Sequence, residues 1–436
     1  MYQAPAYEYV DDTHLKIKLK DNATFANGDP VTAEDVIYSF KRRLDGMLGD
    51  ESLVEWIDYD NTTIESDTEF TIATYTAFPA GLYILASQTG GPVTQKKWAE
   101  TATADDWYNN PLGSGPYTVV SNTDSVGTVL QLRDDYWNKD NLVTNAKQIE
   151  IKYYSSNNTM MLDYADGTLD MVIFADPSEY AKGSNGTYDD TVAELRKVND
   201  GCRVFLVDTN EKFADINVRK AMSLALDTTA ICDIVWGDLA TPAESDFCSA
   251  MLYYESQGAH VYDPDEARKC MEEAGYSADN PLELYLIIDS AAESLQVSTI
   301  LQQYWGECYI DLTVEQKDVT VLIEGILTGG FDFMVFPGSG VGMCYPYELI
   351  SHYDQYGAPL EMMDNPEWLE LRMNAISELD PDKAEQYYKE VQQFLVGRYY
   401  SIPIAEKSMV ILHRSNIKSI RTQGDYESFS LRYIEM

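Results

Sequence analysis

Between residues 263 and 336, segments typical of helices alternate with segments typical of strands. The helix at 263–275 has clear ends: Asp263 is placed to cap it, Pro264 fits its first turn, and Gly275 fits the left-handed residue after its last turn. Alternating strand and helix segments follow at 282–288, 295–304, 309–314, 319–327 and 331–336. This order predicts an α/β fold.

Outside residues 263–336, the segments typical of helices and strands lie farther apart along the chain. Thr32 and Asp35 have the spacing of a capping box at the start of a helix that runs to about residue 44. Further strands are predicted at 14–19, 117–120, 129–133, 149–154, 169–174 and 202–207, and further helices at 159–165, 367–379 and 381–396. The 436 residues suggest two to four domains at roughly 100–200 residues each.

The charge of the chain limits its partners. The formal net charge is −41, from 72 acidic and 31 basic residues. Nucleic acid is excluded as a partner because phosphate binding needs clustered Lys and Arg, and adsorption to anionic lipid is disfavoured for the same reason. The acidic charge either attracts cationic ligands or only keeps the surface solvated. Its even spread along the chain favours the second reading.

Cysteine spacing gives no metal or redox motif. The six cysteines are Cys202, Cys232, Cys248, Cys270, Cys308 and Cys344. Because no C-x-x-C occurs, neither a zinc ribbon nor a thioredoxin-type site is indicated. Their density is too low for a disulfide framework, although one or two isolated bridges are compatible with it.

Catalytic signatures are missing from the sequence. The four histidines, His14, His260, His352 and His413, show no H-E-x-x-H spacing, and neither a G-x-S-x-G elbow nor a P-loop occurs. We therefore expect a protein that is not an enzyme and uses no cofactor or metal. The 32 tyrosines either line a permissive ligand cleft, where they offer broad contact area, or lie at the surface and core rim.

Five segments, in order along the chain, share the motifs of one family. The first, 15–42, contains the pattern F-x-x-G-x-P-V-T-A-x-D-V. The others are 113–117 with 136–137, then 166–171, 213–227, and finally 262–269 with 273–276. Together they resemble the bacterial extracellular solute-binding proteins of family 5, the oligopeptide- and dipeptide-binding type.

The resemblance implies a fold and a domain arrangement. The fold is α/β, two-lobed and periplasmic-binding-protein-like (type II, the large three-domain peptide-binding type), with a ligand cleft between the lobes. Residues 1–110 would form a small inserted domain and 111–208 plus 405–436 the rest of lobe one. Residues 209–404 would form lobe two, with hinge crossings near Asn210 and Pro403.

The resemblance also implies a function. The chain would be the substrate-binding component of an ABC transporter, a monomer that captures peptides or peptide-like solutes and delivers them to the permease and its ATPase subunits. The alternatives are a peptide-sensing or chaperone-like module on the same scaffold, a hydrolase, which the missing signatures disfavour, and an inert product of a mis-started reading frame.

The start of the chain bears on its location. Its first residues have neither the basic start nor the apolar core of a signal peptide. Members of the family normally carry several dozen more residues here, with a signal peptide and often a lipid-anchoring cysteine. We therefore expect a truncated chain whose full-length form is extracytoplasmic, in the periplasm or at the cell surface, and lipid-anchored.

One motif of the family suggests the ligand site. Many members carry G-W-x-x-D-Y, whose Asp pairs with the ammonium group of the peptide. Here the corresponding stretch is 342–347, and Pro346 stands at the position of the Asp. Either Glu348 or Asp354 replaces that Asp, or the ligand lacks a free amino terminus. The expected ligand-binding residues are Asn210, Gly342, Met343, Cys344, Tyr345, Tyr347 and Glu348, with both tyrosines facing the cleft.

The same motif suggests a disulfide. Some members join a cysteine on the strand before the hinge to the cysteine of this motif. Cys202 and Cys344 hold those positions. The resemblance therefore implies a bridge between them.

Overall fold

The structure is a computed structural model. It describes residues 6–44, 54–86, 91–173, 175–206, 211–289, 291–318, 321, 331–336, 345–347, 349–350, 353, 362, 364–418, 420 and 431–436. The chain forms two compact units. Unit 1 comprises Met1–Glu194, Val410–Gln423 and Ser428–Met436, and unit 2 comprises Leu195–Met409 and Gly424–Glu427.

Unit 1 begins with an antiparallel sheet. Its strands are β1 (Ala6–Asp11), β2 (His14–Lys18), β3 (Ile57–Ile64) and β4 (Glu69–Thr74), in the order β1-β2-β4-β3. Leu15 and Ile17 of β2 are buried while their neighbours are not, which is the alternation of a half-buried strand. The helices of this part are α1 (Ala33–Leu44), α2 (Ala80–Ala86), α3 (Lys96–Ala99) and α4 (Ala104–Asn109).

The predicted capping box at the start of α1 is confirmed. Asp35 Oδ2 accepts hydrogen bonds from the backbone N–H and the hydroxyl of Thr32, at 2.9 and 2.7 Å, and the Thr32 hydroxyl accepts from the Asp35 N–H at 3.3 Å. Asp35 Oδ1 also accepts from the backbone N–H of Lys96 at 2.8 Å. The buried carboxylate therefore joins the starts of α1 and α3.

The loop before α1 is built around Phe25. This side chain is fully buried, in a cluster with Ala23 and Val31. The Phe25 N–H donates to the Asp29 carbonyl across a turn in which Gly28 has a φ of +87°, a conformation that favours glycine. Nη2 of the buried Arg133 donates to the Phe25 carbonyl at 2.9 Å, which ties the loop to the next sheet of the unit.

The rest of unit 1 is a second antiparallel sheet with two helices. The sheet consists of β5 (Tyr117–Thr123), β6 (Gly127–Leu132) and β7 (Gln148–Lys152), in that order. After it come α5 (Asn157–Ala165), β8 (Met171–Ile173) and α6 (Pro177–Ser184). β8 pairs antiparallel with residues 411–413.

Two long strands carry the chain between the units. They are β9 (Thr191–Leu206) and β14 (Ser401–Arg414), which contain two of the four points where the chain passes from one unit to the other, at 194/195 and 409/410. The three-domain division expected from the sequence remains a prediction.

In unit 2, β14 pairs with β10 (Ala240–Pro242) and β9 pairs with β13 (Phe333–Phe336). The helices of unit 2 are α7 (Ile216–Leu224), α8 (Thr228–Val235), α9 (Pro264–Glu273), α10 (Ala292–Gly306), α11 (Pro366–Ser377) and α12 (Pro381–Arg398).

The alternating pattern of 263–336 has the predicted form where it is described. The Asp263 side chain accepts from the Glu266 N–H, Pro264 lies in the first turn, and Gly275 has a φ of +91°. The strands β11 (Leu282–Ile288) and β12 (Ile310–Gln316) pair in parallel, with α10 between them along the chain. The predicted helix at 319–327 lies outside the described residues except for residue 321.

Candidate functional site

The described structure contains two of the seven predicted ligand residues, Tyr345 and Tyr347, with Pro346 between them. The other five lie outside the described residues, and so does Asp354; these five are Asn210, Gly342, Met343, Cys344 and Glu348. Pro346 is buried and Tyr347 is partly buried. The roles assigned to the seven residues remain predictions.

Tyr345 belongs to a cluster of three tyrosine rings in unit 2, here called the tyrosine cluster. Its side chain is 2% exposed. Its ring lies 6.2 Å from the ring of Tyr253 and 5.6 Å from that of Tyr388, both edge to face. Tyr253 and Tyr388 stack at 5.5 Å with 16° between their planes. The cluster thus fixes one end of the predicted ligand motif against helix α12.

The backbone of Tyr253 is held by a buried amide. Gln392 of α12 is fully buried, and its Nε2 donates to the carbonyls of Tyr253 at 2.9 Å and Tyr388 at 3.2 Å. Its Oε1 accepts from the Glu255 N–H at 3.1 Å. One side chain therefore ties the segment after residue 252 to α12.

A carboxylate, that of Glu244, also holds this segment. Glu244 Oε2 accepts from the backbone N–H groups of Gln257 and Gly258, at 3.0 and 3.2 Å, and from the hydroxyls of Ser256 and Tyr254. The hydrogen bond from Ser256 is the largest of the effects that lower the pKa of Glu244. Burial, followed by the charges of Glu244 and Glu406, raises the pKa of Tyr254 to about 12. Glu244 therefore organises the loop as a charged acceptor.

A buried charged cluster lies elsewhere in unit 2. Asp246 Oδ2 accepts from the Tyr353 hydroxyl at 2.5 Å, Oδ1 accepts from the Ser401 hydroxyl, and Arg203 Nη1 lies 4.0 Å from Oδ1. Burial and the charge of Asp246 hold the pKa of Tyr353 well above its usual range. Arg203 and Asp246 line a small pocket together with Cys202 and Cys248. The pocket therefore places Asp246 and Cys248 beside Cys202 and Arg203 of β9.

The structure describes one of the two cysteines of the predicted disulfide. Cys202 is buried in β9, whereas its predicted partner Cys344 lies outside the described residues. The bridge remains a prediction.

The described titratable groups do not favour catalysis. Burial raises the pKa of the Cys232 thiol to about 12, and it also raises the pKa values of Cys270 and Cys308. These thiols therefore stay protonated and are poor nucleophiles and metal ligands. Burial lowers the pKa of His260, whose Nε2 lies 3.0 Å from the Ser223 carbonyl. Within the described residues, no group of three or more His, Cys, Asp or Glu side chains is arranged to hold a metal ion.

Sequence reasoning did not single out Tyr253, Tyr388, Gln392 or Glu244. Nothing local marks them, because each acquires its role only when distant segments meet. The number of tyrosines was the one available signal, and it does not say which of them lie together.

Among the helices in the described part of the chain, none is both long and apolar enough to cross a bilayer.

Comparison with known proteins supports the resemblance. The model of the family described as bacterial extracellular solute-binding proteins, family 5 (middle part), matches residues 4–359. The periplasmic oligopeptide-binding protein OppA of Haemophilus influenzae is 22% identical over 88% of this chain and 76% of its own length. The nickel-binding protein NikA of Staphylococcus aureus is 26% identical over 74% of this chain and 62% of its own length.

A solved structure shows the same fold. The dipeptide-binding protein from Pseudoalteromonas sp. SM9913, in complex with Met-Leu, superposes with a TM-score of 0.81 at 18% identity and covers 99% of this chain and 89% of its own. The likeness confirms the predicted α/β, periplasmic-binding-protein-like fold class. The relatives are solute-binding proteins rather than enzymes, as the sequence predicted. Since the family model matches most of its length, this chain belongs to the bacterial extracellular solute-binding proteins, family 5.

Proposed function

We propose that this chain is the substrate-binding component of an ABC importer and that its solutes are peptides or peptide-like molecules. The observation that carries the proposal is the family match over residues 4–359, with an oligopeptide-binding protein among the relatives.

The proposed mechanism uses differential affinity. The solute would bind in the predicted cleft and contact both lobes only in the closed form, so that binding stabilises closure. The permease would then recognise the closed form. The predicted hinge crossings near Asn210 and Pro403, the monomeric state and the lipid anchor of the full-length form all belong to this proposal.

The amino terminus of the ligand is the specific point at which Pro346 matters. A proline has no acceptor side chain, so it cannot pair with an ammonium group as the family's Asp does. A broken buried charge pair of this kind costs ~2–5 kcal/mol. The proposed ligands are therefore either peptides whose ammonium group meets another acid, with Glu348 or Asp354 as candidates, or peptide-like solutes without a free amino terminus.

A nickel complex is the second candidate ligand. It is favoured by the nickel-binding relative from Staphylococcus aureus, whose structure was solved with Ni(L-His)2 and superposes on this chain with a TM-score of 0.75 at 19% identity. The fold accommodates either ligand class, so binding must be measured directly.

A thermal-shift screen tests the proposal. The panel contains pooled di- to hexapeptides, the same peptides N-acetylated, and Ni²⁺ with L-histidine. A ligand present at 100 times its dissociation constant stabilises the protein by ~2.7 kcal/mol. The proposal predicts a shift with at least one peptide pool. A shift with the nickel–histidine mixture and with neither pool would replace peptides by a metal complex, and a well-folded protein that responds to nothing would contradict the proposal.

If the peptide pools bind, acetylation distinguishes the two readings of Pro346. Loss of binding on acetylation would mean that another acid has taken over the role of the missing Asp. Equal or tighter binding of acetylated peptides would mean that the site does not recognise a free amino terminus. If the chain is instead a sensing or chaperone-like module, it should bind peptides, but those peptides should not be taken up through a cognate permease.

A further inference from the structure

Tyr345 and Tyr347 differ in their surroundings although they are two residues apart. Tyr345 is 2% exposed, and its ring lies against those of Tyr253 and Tyr388. Tyr347 is only partly buried. Of the two tyrosines in the predicted ligand motif, Tyr345 therefore has the surroundings of an anchor, and Tyr347 is the one with surface left to contact a solute.

Tyr253 adopts an unusual backbone conformation next to this anchor. Its φ is +63°, in the left-handed region that costs a side-chain-bearing residue of order 1–3 kcal/mol. Tyr399 has a similar φ as the C-cap of α12, whereas Tyr253 lies in a turn closed by the hydrogen bond from the Tyr254 N–H to the Met251 carbonyl at 3.4 Å. Such strain persists only where the surroundings hold it, and it is concentrated at ligand-binding and switch regions.

Two sets of hydrogen bonds hold Tyr253 in that conformation. The buried Gln392 donates to its carbonyl and accepts from the Glu255 N–H. Glu244 gathers the N–H groups of Gln257 and Gly258 just beyond. The result is a ring that stacks on Tyr388 and meets the edge of Tyr345.

We propose that Tyr253 is a positioning residue of the ligand site. Through Tyr345 it sets the place of Tyr347. The inference rests on the proposed function, since it assumes that Tyr347 contacts the solute. It assigns a ligand-site role to a loop that carries no motif of its own, and it predicts that this loop affects affinity without touching the solute.

The test compares Tyr253→Leu with Tyr253→Phe. Leucine keeps the backbone penalty of a side chain at positive φ but removes the aromatic ring, whereas phenylalanine keeps the ring. Tyr262→Leu is the matched control, because Tyr262 is a 41%-exposed tyrosine of unit 2 whose ring meets Tyr304 instead. If Tyr253→Leu is recovered unfolded, Tyr253→Met takes its place, because methionine also removes the ring and its flexible side chain fills irregular space.

The first readout needs no ligand. Hydrogen–deuterium exchange of the peptide that covers residues 345–350 reports how firmly the motif is held. Loss of two ring contacts should accelerate exchange there by about tenfold, with the rest of unit 2 unchanged, and Tyr253→Phe should restore protection. Unchanged exchange at 345–350, or an equal rise throughout unit 2, would overturn the proposal.

The second readout is affinity for the di- to hexapeptide pool. We expect Tyr253→Leu to weaken the apparent affinity by about tenfold and Tyr262→Leu to leave it unchanged. Because Tyr253 acts through Tyr345, adding Tyr253→Leu to Tyr345→Leu should cause little further loss. Additive losses would contradict this route. If neither the free nor the N-acetylated pool binds the unmodified protein, the proposed function fails, while the exchange measurement still decides whether Tyr253 positions the segment that begins at Tyr345.

Discussion

Arg219 provides a sharp test of how the structure explains one of the family's motifs. It lies in the segment 213–227, one of the five that resemble the family, and is fully buried in α7. Its Nε donates to the Arg398 carbonyl at 3.0 Å, and its Nη1 donates to the carbonyls of Phe213 and Ala214 at 2.7 and 3.1 Å. Its guanidinium lies 4.6 Å from the ring centroid of Tyr400. One side chain thus joins the end of α12 to the turn before α7.

The expected cost of removing it follows from these contacts. Arg219→Met would leave three carbonyls without this donor, and a buried acceptor that loses its partner costs ~1–3 kcal/mol. Because neighbouring contributions do not add fully, we expect a total of ~3–6 kcal/mol. At ~2–4 °C per kcal/mol for a domain of this size, the melting temperature of unit 2 should fall by on the order of 10 °C or more. The melting temperature of Arg219→Lys should lie between those of Arg219→Met and the unmodified protein, since an ammonium group lacks the planar fork that reaches several carbonyls.

The assay is differential scanning calorimetry of the three proteins together with Arg268→Met. Arg268 makes a matched control because it pairs with Asp265, whose side chain is 81% exposed, and an exposed ion pair contributes ~0–1 kcal/mol. If Arg219→Met melts within the range of Arg268→Met, the buried arginine does not hold these segments together, and this explanation of the motif is refuted.

Three further predictions concern pH. Glu244→Gln should destabilise the protein by ~1 kcal/mol near pH 7. Because the pKa of Glu244 is lowered in the folded state, the difference in stability between the variant and the unmodified protein should close as the pH falls below about 4.3. Urea unfolding midpoints at several pH values check this. The pKa of His260 is lowered by burial, so the unfolded chain takes up the proton first and stability should fall below about pH 6.5, a loss that His260→Gln should reduce when melting is followed against pH. Burial holds the pKa of Tyr388 well above its usual value, so above about pH 10 the unfolded state loses a proton that the folded state keeps, and stability should fall. Tyr388→Phe should reduce the slope of the unfolding free energy against pH by the contribution of one proton. Unfolding midpoints measured against pH check this.

Local signals in the sequence predicted the helix ends well. Asp263, Pro264 and Gly275 act within one or two turns of their own positions, so their roles can be read without knowing the rest of the fold. The same is true of the box formed by Thr32 and Asp35. Strands with alternating or continuous apolar residues, such as β11, were located for the same reason.

Elements that depend on distant partners were predicted incompletely. The sequence indicated a strand at 202–207, whereas β9 runs over Thr191–Leu206. Its first ten residues, TVAELRKVND, include six polar or charged ones and lack a regular alternation, so their strand conformation depends on the wider sheet rather than on their own pattern. The four strands around Leu15 and Ile17 likewise include three that the sequence pattern did not reveal.

The candidate site shows the same division. The motif at 342–347 was recognisable because its residues are contiguous, and the resemblance to a family gave it a meaning. Tyr253, Gln392 and Glu244 come from separate segments and meet only in the folded chain. Their contribution follows from geometry and from no pattern in the sequence.

The most direct test of the central claim is equilibrium dialysis of the purified protein against an equimolar pool of free and N-acetylated di- to hexapeptides, read by mass spectrometry. Our account predicts that a subset of intact peptides accumulates on the protein side and saturates at one per chain. Two results would contradict it: a folded protein that retains no peptide, which would remove peptides as the solute class, and the appearance of shortened peptides, which would mean that the chain hydrolyses peptides rather than carrying them.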